Sequence, residues 1–103
     1  VIFFHGLGGD PFKTWSSSSD RKACWLKWLS EDIEGLAVWT VGYQAAASRW
    51  LGSAMQLSDR ATNVMERLLV EPSLQAGDIT LIGHSLGGLL IKQMLRTAHS
   101  MSH

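Results

Sequence analysis

Residues 79–95, ITLIGHSLGGLLIKQML, constrain this chain more than any other segment. Ile79, Leu81 and Ile82 make an apolar, β-prone run that leads into Gly83-His84-Ser85-Leu86-Gly87. Leu86, Leu89, Leu90, Ile91, Met94 and Leu95 then recur at three- and four-residue intervals, with Lys92, Gln93 and Arg96 on the other side. This pattern predicts a buried strand, a sharp corner at Ser85 and an amphipathic helix. A corner of that kind strains its central residue and leaves no room for side chains two positions away, which accounts for Gly83 and Gly87. Gly88 is expected to let the helix pack closely on the sheet. Ser85 would stand in the open at a helix N-terminus, where free N–H groups and the helix dipole favour negative charge. The pentapeptide alone is weak, but strand, turn and helix around it make the arrangement of a nucleophile elbow. His84, diverging from Ser85 at the turn, reads as structural.

A second glycine-rich loop, His5-Gly6-Leu7-Gly8-Gly9, follows the apolar run 1–4, Val-Ile-Phe-Phe. In acyl-transfer enzymes built around such an elbow, two backbone N–H groups converge on the oxyanion, one from the residue after the serine and one from an earlier loop. Leu86 and Leu7 occupy those positions. His5, Gly6 and Gly8 are expected to shape the loop. A phosphate cradle is disfavoured, since neither G-x-x-x-x-G-K-[ST] nor G-x-G-x-x-G is present.

Between the two loops the chain alternates helix and strand. Residues 22–33 carry Leu26, Leu29 and Ile33 at helical spacing and predict a helix stopped near Gly35. Residues 36–43 predict a strand, and 58–71 a helix with Ser58 as N-cap, a stripe of Ala61, Val64, Met65, Leu68 and Leu69, and Pro72 as its stop. Three strands and three helices in alternation predict an α/β fold with a parallel sheet and right-handed crossovers. The four serines at 16–19 read as a surface loop.

The chain then resembles the α/β-hydrolase superfamily, in its serine esterase and lipase branch, which includes domains of NACHT-type signalling proteins and relatives of GPI inositol-deacylase. The resemblance rests on HGLGGDPFKTW at 5–15, VWTVGY at 38–43 and GHSLGGLLIKQML at 83–95. It implies hydrolysis of a carboxylic or lipid ester through an acyl-enzyme on Ser85, and a sheet in which the first strand lies between the second and third. The loop at 5–9 and the elbow at 83–87 would then meet at one crevice, where the strand order reverses. A non-catalytic module of the same fold, used for binding or signalling, is the alternative.

A hydrolase of this superfamily needs more than twice 103 residues, so 1–103 is expected to be the N-terminal part of one domain. The resemblance implies that the acid and histidine of the triad lie downstream. No histidine present serves as the base. His99 is 14 residues past Ser85 on a helical path, roughly 21 Å away at 1.5 Å per residue; His103 is farther, and His5 fits the loop better than proton transfer. Asp78 enters the elbow strand at its far end, and Asp10 suits the turn at Pro11.

Nine basic and nine acidic residues balance, which gives no electrostatic case for nucleic acid or an anionic membrane. A small-molecule or lipid ester remains the expected partner, with membrane contact left open. Neither cofactor nor metal is expected. The single cysteine, Cys24, precludes an internal disulfide, favours an intracellular setting and reads as a packed thiol. Of five tryptophans, Trp15, Trp25, Trp28 and Trp39 are expected in the core, and Trp50 is balanced between core and ligand surface.

Overall fold

The computed structural model describes residues 1–6, 8–16, 24–43 and 54–101. Leu7, Ser17, Ser18, Ser19, Trp50 and His103, which carried expectations of their own, lie outside the described residues. Strand β1 (Ile2–Phe4), helix α1 (Trp25–Asp32), β2 (Trp39–Val41), α2 (Ala54–Leu69), β3 (Leu81–Gly83) and α3 (Leu86–Met101) follow in that order.

The strands form one parallel sheet in the order β2-β1-β3, with Ile2 opposite Trp39 and Leu81, and Phe4 opposite Val41 and Gly83. The first strand is thus central. Alternation along β1 sends Ile2 and Phe4 to one face and Phe3 to the other, as a pleated strand must. On the first face they pack with Val41 of β2, Ala61, Val64 and Met65 of α2, and Leu90 and Met94 of α3. On the second, Phe3 packs with Cys24 and Leu26, with Trp15, Leu29, Val38 and Ile82 around them. Helices on opposite faces are what a fixed crossover hand requires when the chain first steps to one side of β1 and then to the other.

Both faces of β1 are covered, so its three residues are fully apolar, while the shorter contacts of β2 and β3 leave them partly open. Each strand is shorter than its apolar run suggests. Pairing nonetheless starts before β3, since the Ile2 N–H donates to the Thr80 carbonyl at 2.9 Å.

Several helical expectations are corrected. Ser58 is not an N-cap: α2 begins at Ala54, and the Ser58 carbonyl accepts from the Thr62 hydroxyl at 3.1 Å inside the helix. The strong helix formers of the 54–57 run, Ala-Met-Gln-Leu, carry the helix a turn upstream. Helix α1 buries Leu26 with Leu29 packed beside it, but Trp25 and Trp28 are 54% and 45% exposed. Each precedes a stripe residue by one position, about 100° around the helix, and so turns away from the sheet. Ile33 has left the helix in extended backbone and is also exposed. Gly35 closes that end at φ +79°, as expected.

In α3 the buried line is Gly87, Leu90 and Met94. Leu89 and Leu95, both expected in the apolar stripe, are 52% and 57% exposed. They sit on the back and flank of the line that faces the sheet. The helix continues through Thr97 to Met101, which puts His99 on the helical path the sequence suggested. No helix among the described residues is long and apolar enough to cross a membrane.

Candidate active site

Ser85 stands between the last residue of β3's turn and the first of α3, at φ +55°. No other non-glycine residue among those described has positive φ. A side chain in this region costs about 1–3 kcal/mol, strain that persists only where neighbours hold it. The neighbours here are glycines. A Cβ on Gly83 would lie 2.6 Å from the Gly88 nitrogen and 2.7 Å from the Gly87 carbonyl carbon, so strand and helix could not approach as they do. A Cβ on Gly87 would collide with the Phe4 carbonyl oxygen and come within 2.7 Å of the His5 carbonyl oxygen.

Gly88 behaves differently. A Cβ there meets nothing within 4 Å, so the expectation that Gly88 serves close packing through its side is corrected: only its backbone is used, against Gly83. A paired prediction follows for stability. In the full-length protein Gly87→Ala should cost about 1–3 kcal/mol through overpacking against β1. Gly88→Ala should be neutral or stabilising by up to about 1 kcal/mol, because alanine is the better helix former. Urea midpoints of the two variants decide it, and equal destabilisation would contradict the assignment.

The first turn of α3 is tight. The Gly87 N–H donates to the His84 carbonyl and the Gly88 N–H to the Ser85 carbonyl, each at 2.9 Å. The Leu86 N–H finds no acceptor among the described residues. It can therefore donate to an anion beside Ser85, with the helix dipole behind it. Gly83, His84 and Ser85 are all exposed.

The second glycine loop reaches the same place. A Cβ on Gly6 would lie 2.7 Å from the His84 carbonyl oxygen, 3.0 Å from Ser85 Cβ and 3.1 Å from His84 Nδ1. Loop and elbow are thus in contact at Gly6. Gly8 has φ +69°, and the Gly9 N–H closes the turn onto the Gly6 carbonyl at 2.9 Å. Leu7 lies outside the described residues, so its N–H is not placed.

His5 is wholly buried. Its Nδ1 lies 3.1 Å from the Gly6 carbonyl oxygen, and its Nε2 accepts from the Tyr43 N–H at 3.4 Å. These partners assign the ring proton to Nδ1. With both nitrogens occupied, His5 has no lone pair for Ser85. The Tyr43 ring stacks on the imidazole, centroids 4.0 Å apart and 11° from parallel, and its hydroxyl donates to the His5 carbonyl. Burial pushes the Tyr43 phenol up to about 12, so it keeps its proton, and that donor, at neutral pH. Nothing local in the sequence marks Tyr43 as a partner of the loop; the contact spans 38 positions.

Around this centre the remaining groups are structural. Trp15 packs edge-on against Phe3 at 4.8 Å and against the His84 ring at 6.4 Å, beneath the elbow. Asp10 fixes its turn as expected: one carboxylate oxygen accepts from the Phe12 N–H at 2.8 Å and the Lys13 N–H at 3.0 Å. Those two bonds, the Lys13 one foremost, hold its carboxyl below the ordinary range. Cys24 is buried, as a packed thiol should be. Burial pushes that thiol up, but hydrogen bonds from the Ser16 hydroxyl and the Lys27 and Leu26 N–H groups outweigh it and leave it lowered. Cys24 lines a cavity of about 290 Å³ with Phe12, Ser16, Leu26 and Lys27, away from Ser85.

Among the described residues no imidazole hydrogen-bonds to Ser85, and no cluster of His, Cys, Asp and Glu could hold a metal ion. His99 lies in α3, far along the helix from Ser85, and Asp78 precedes β3 at the opposite end of the strand.

Compared with known proteins, the chain is 34% identical to protein SERAC1 of Homo sapiens over an alignment 116 positions long, covering 95% of this chain and 18% of that protein. The Mus musculus SERAC1 matches to the same extent, and the Danio rerio protein is 30% identical over an alignment 119 positions long. The chain spans less than a fifth of the length of these relatives. No family model matches it. No solved structure matches it.

Proposed function

We propose that the protein is a serine hydrolase of the α/β-hydrolase kind, cleaving a carboxylic ester, including a lipid ester, through an acyl-enzyme on Ser85. One observation carries this reading. Ser85 is held at φ +55° at the start of α3 with Gly6 of a second glycine loop packed against its Cβ. A backbone held in strain, an exposed hydroxyl and an N–H without an acceptor among the described residues at the next position suit a serine nucleophile, whose base would come from elsewhere in the protein.

In the proposed reaction Ser85 Oγ attacks the ester carbonyl carbon while its proton passes to a histidine base from elsewhere in the full-length protein. Charge on the carbonyl oxygen is taken up by the Leu86 N–H and by an N–H of the loop at 5–9. The intermediate collapses as the C–O bond to the alcohol breaks and the base returns the proton to the leaving oxygen. Water then repeats the sequence on the acyl-Ser85 ester and releases the carboxylic acid.

The test is covalent. Full-length protein treated with a fluorophosphonate should carry one adduct, located on Ser85 by tandem mass spectrometry of the peptide that contains it. A folded protein that takes up no probe would speak for the non-catalytic module instead, since the base that activates Ser85 would then be lacking.

A further inference from the structure

The contacts of Tyr43 end on the peptide unit beside Ser85. Its hydroxyl donates to the His5 carbonyl, its N–H donates to His5 Nε2 at 3.4 Å, and its ring covers the imidazole at 4.0 Å. His5 Nδ1 in turn meets the Gly6 carbonyl oxygen at 3.1 Å, which also accepts the Gly9 N–H at 2.9 Å. A carbonyl gripped by two donors has little freedom to turn, and Gly6, which carries it, is the residue that meets His84 and Ser85.

We propose that Tyr43 is a positioning residue for the oxyanion loop: through His5 it holds the Gly6 carbonyl, and with it the place of Gly6 against the elbow at Ser85. The inference rests on the serine hydrolase reading above. The carboxyl end of β2 is built to carry such a clamp. The Thr40 hydroxyl donates to the Pro11 carbonyl at 2.6 Å, and a Cβ on Gly42 would lie 3.3 Å from Pro11 Cγ. Arg67 of α2 donates from Nη1 to the Gly42 carbonyl at 3.3 Å, tying the segment before Tyr43 to the helix behind it. The strand end thus holds the loop at both of its sides, at His5 and at Pro11. Tyr43 is the member of that clamp whose contacts lead to Gly6.

Two variants of the full-length protein separate this role from general packing. Tyr43→Phe keeps the stack and removes only the hydroxyl. It should lower kcat for a short ester about tenfold with KM within about twofold, because a misaligned donor is felt in the transition state. Tyr43→Leu, which loses the stack as well, should approach the 10²–10³ loss typical of a missing oxyanion donor, about 100-fold or more. A trifluoromethyl ketone, which forms a tetrahedral oxyanion on the serine, should lose affinity in step with kcat. An ether analogue of the ester, which forms none, should bind both variants as it binds wild type. Thermal unfolding checks the fold, and if the leucine variant does not fold, the phenylalanine variant decides. Wild-type kcat in Tyr43→Phe, or equal weakening of ketone and ether, overturns the positioning role while leaving Ser85 catalysis intact. Turnover that is unchanged in Ser85→Ala overturns the hydrolase reading and this inference with it.

Discussion

Full-length protein carrying Ser85→Ala is expected to hydrolyse a p-nitrophenyl ester at least about 10⁴-fold more slowly than wild type, because removal of a serine nucleophile leaves only binding and oxyanion stabilisation. The fluorophosphonate adduct should vanish with it. Loss of activity through unfolding is separable from loss of chemistry here. Alanine at φ +55° bears about the same backbone strain as serine, and Ser85 is exposed, with no side-chain hydrogen bond among the described residues to lose. The unfolding midpoint should therefore stay close to that of wild type. Stopped assays of the two proteins at equal concentration, with the variant expressed and purified alongside, supply the ratio. Turnover within tenfold of wild type would remove Ser85 from the chemistry.

Gly6→Val should be the second most damaging change, lowering kcat by about 10²–10³, the effect of losing one oxyanion donor. The argument is steric. Before the rest of the valine side chain is considered, its Cβ would stand 2.7 Å from the His84 carbonyl oxygen and 3.0 Å from Ser85 Cβ. One of the neighbours is backbone, which cannot swing aside as a long side chain would. The loop must move away from the elbow, and any N–H it contributes moves too. Leu86→Met is the matched control, expected within a few-fold of wild type because position 86 offers its backbone N–H and not its side chain. If Gly6→Val, verified as folded, kept wild-type kcat, the loop at 5–9 would not form the oxyanion hole.

The order of elements was legible from the alternation of apolar runs and helical stripes, whereas the placing of β1 between its neighbours came only from the resemblance to the α/β-hydrolases. The continuous apolar run at 1–4 suits a strand covered on both faces, as β1 is, while the run at 79–83 lies at a more open position. The two glycine loops were legible for a related reason, since close backbone approach tolerates no other residue at Gly6, Gly83 and Gly87. Gly88 shows the limit of that logic. A glycine's presence does not say which neighbour, if any, demands it.

Exposure was harder to read. Apolar residues lie on more than one side of α1 and α3, so spacing alone did not separate Leu26 from Trp25 or Leu90 from Leu89; the position of the sheet decides. The start of α2 was missed because Ser58 looks like a cap when the helix formers before it are read as loop. Tyr43 was invisible for another reason. Its partners are a ring and a carbonyl 38 positions earlier, and no periodicity or local motif encodes a stack formed only when β1 and β2 pair.

The central place of β1 also governs when the site can come into being. Phe4 pairs with Val41 but must wait for Gly83, 79 positions later, before its other edge is filled. At synthesis rates of about 5–20 residues per second, that wait is about 4–16 s on the ribosome. Over that interval Ile2, Phe3 and Phe4 belong to a nascent chain whose second edge is open, a template for chaperones or for mispairing with neighbouring chains. The nucleophile and its loop can therefore meet only once the chain has been made as far as Ser85, and the pace of translation between the codons for His5 and Ser85 sets how long that edge stays open.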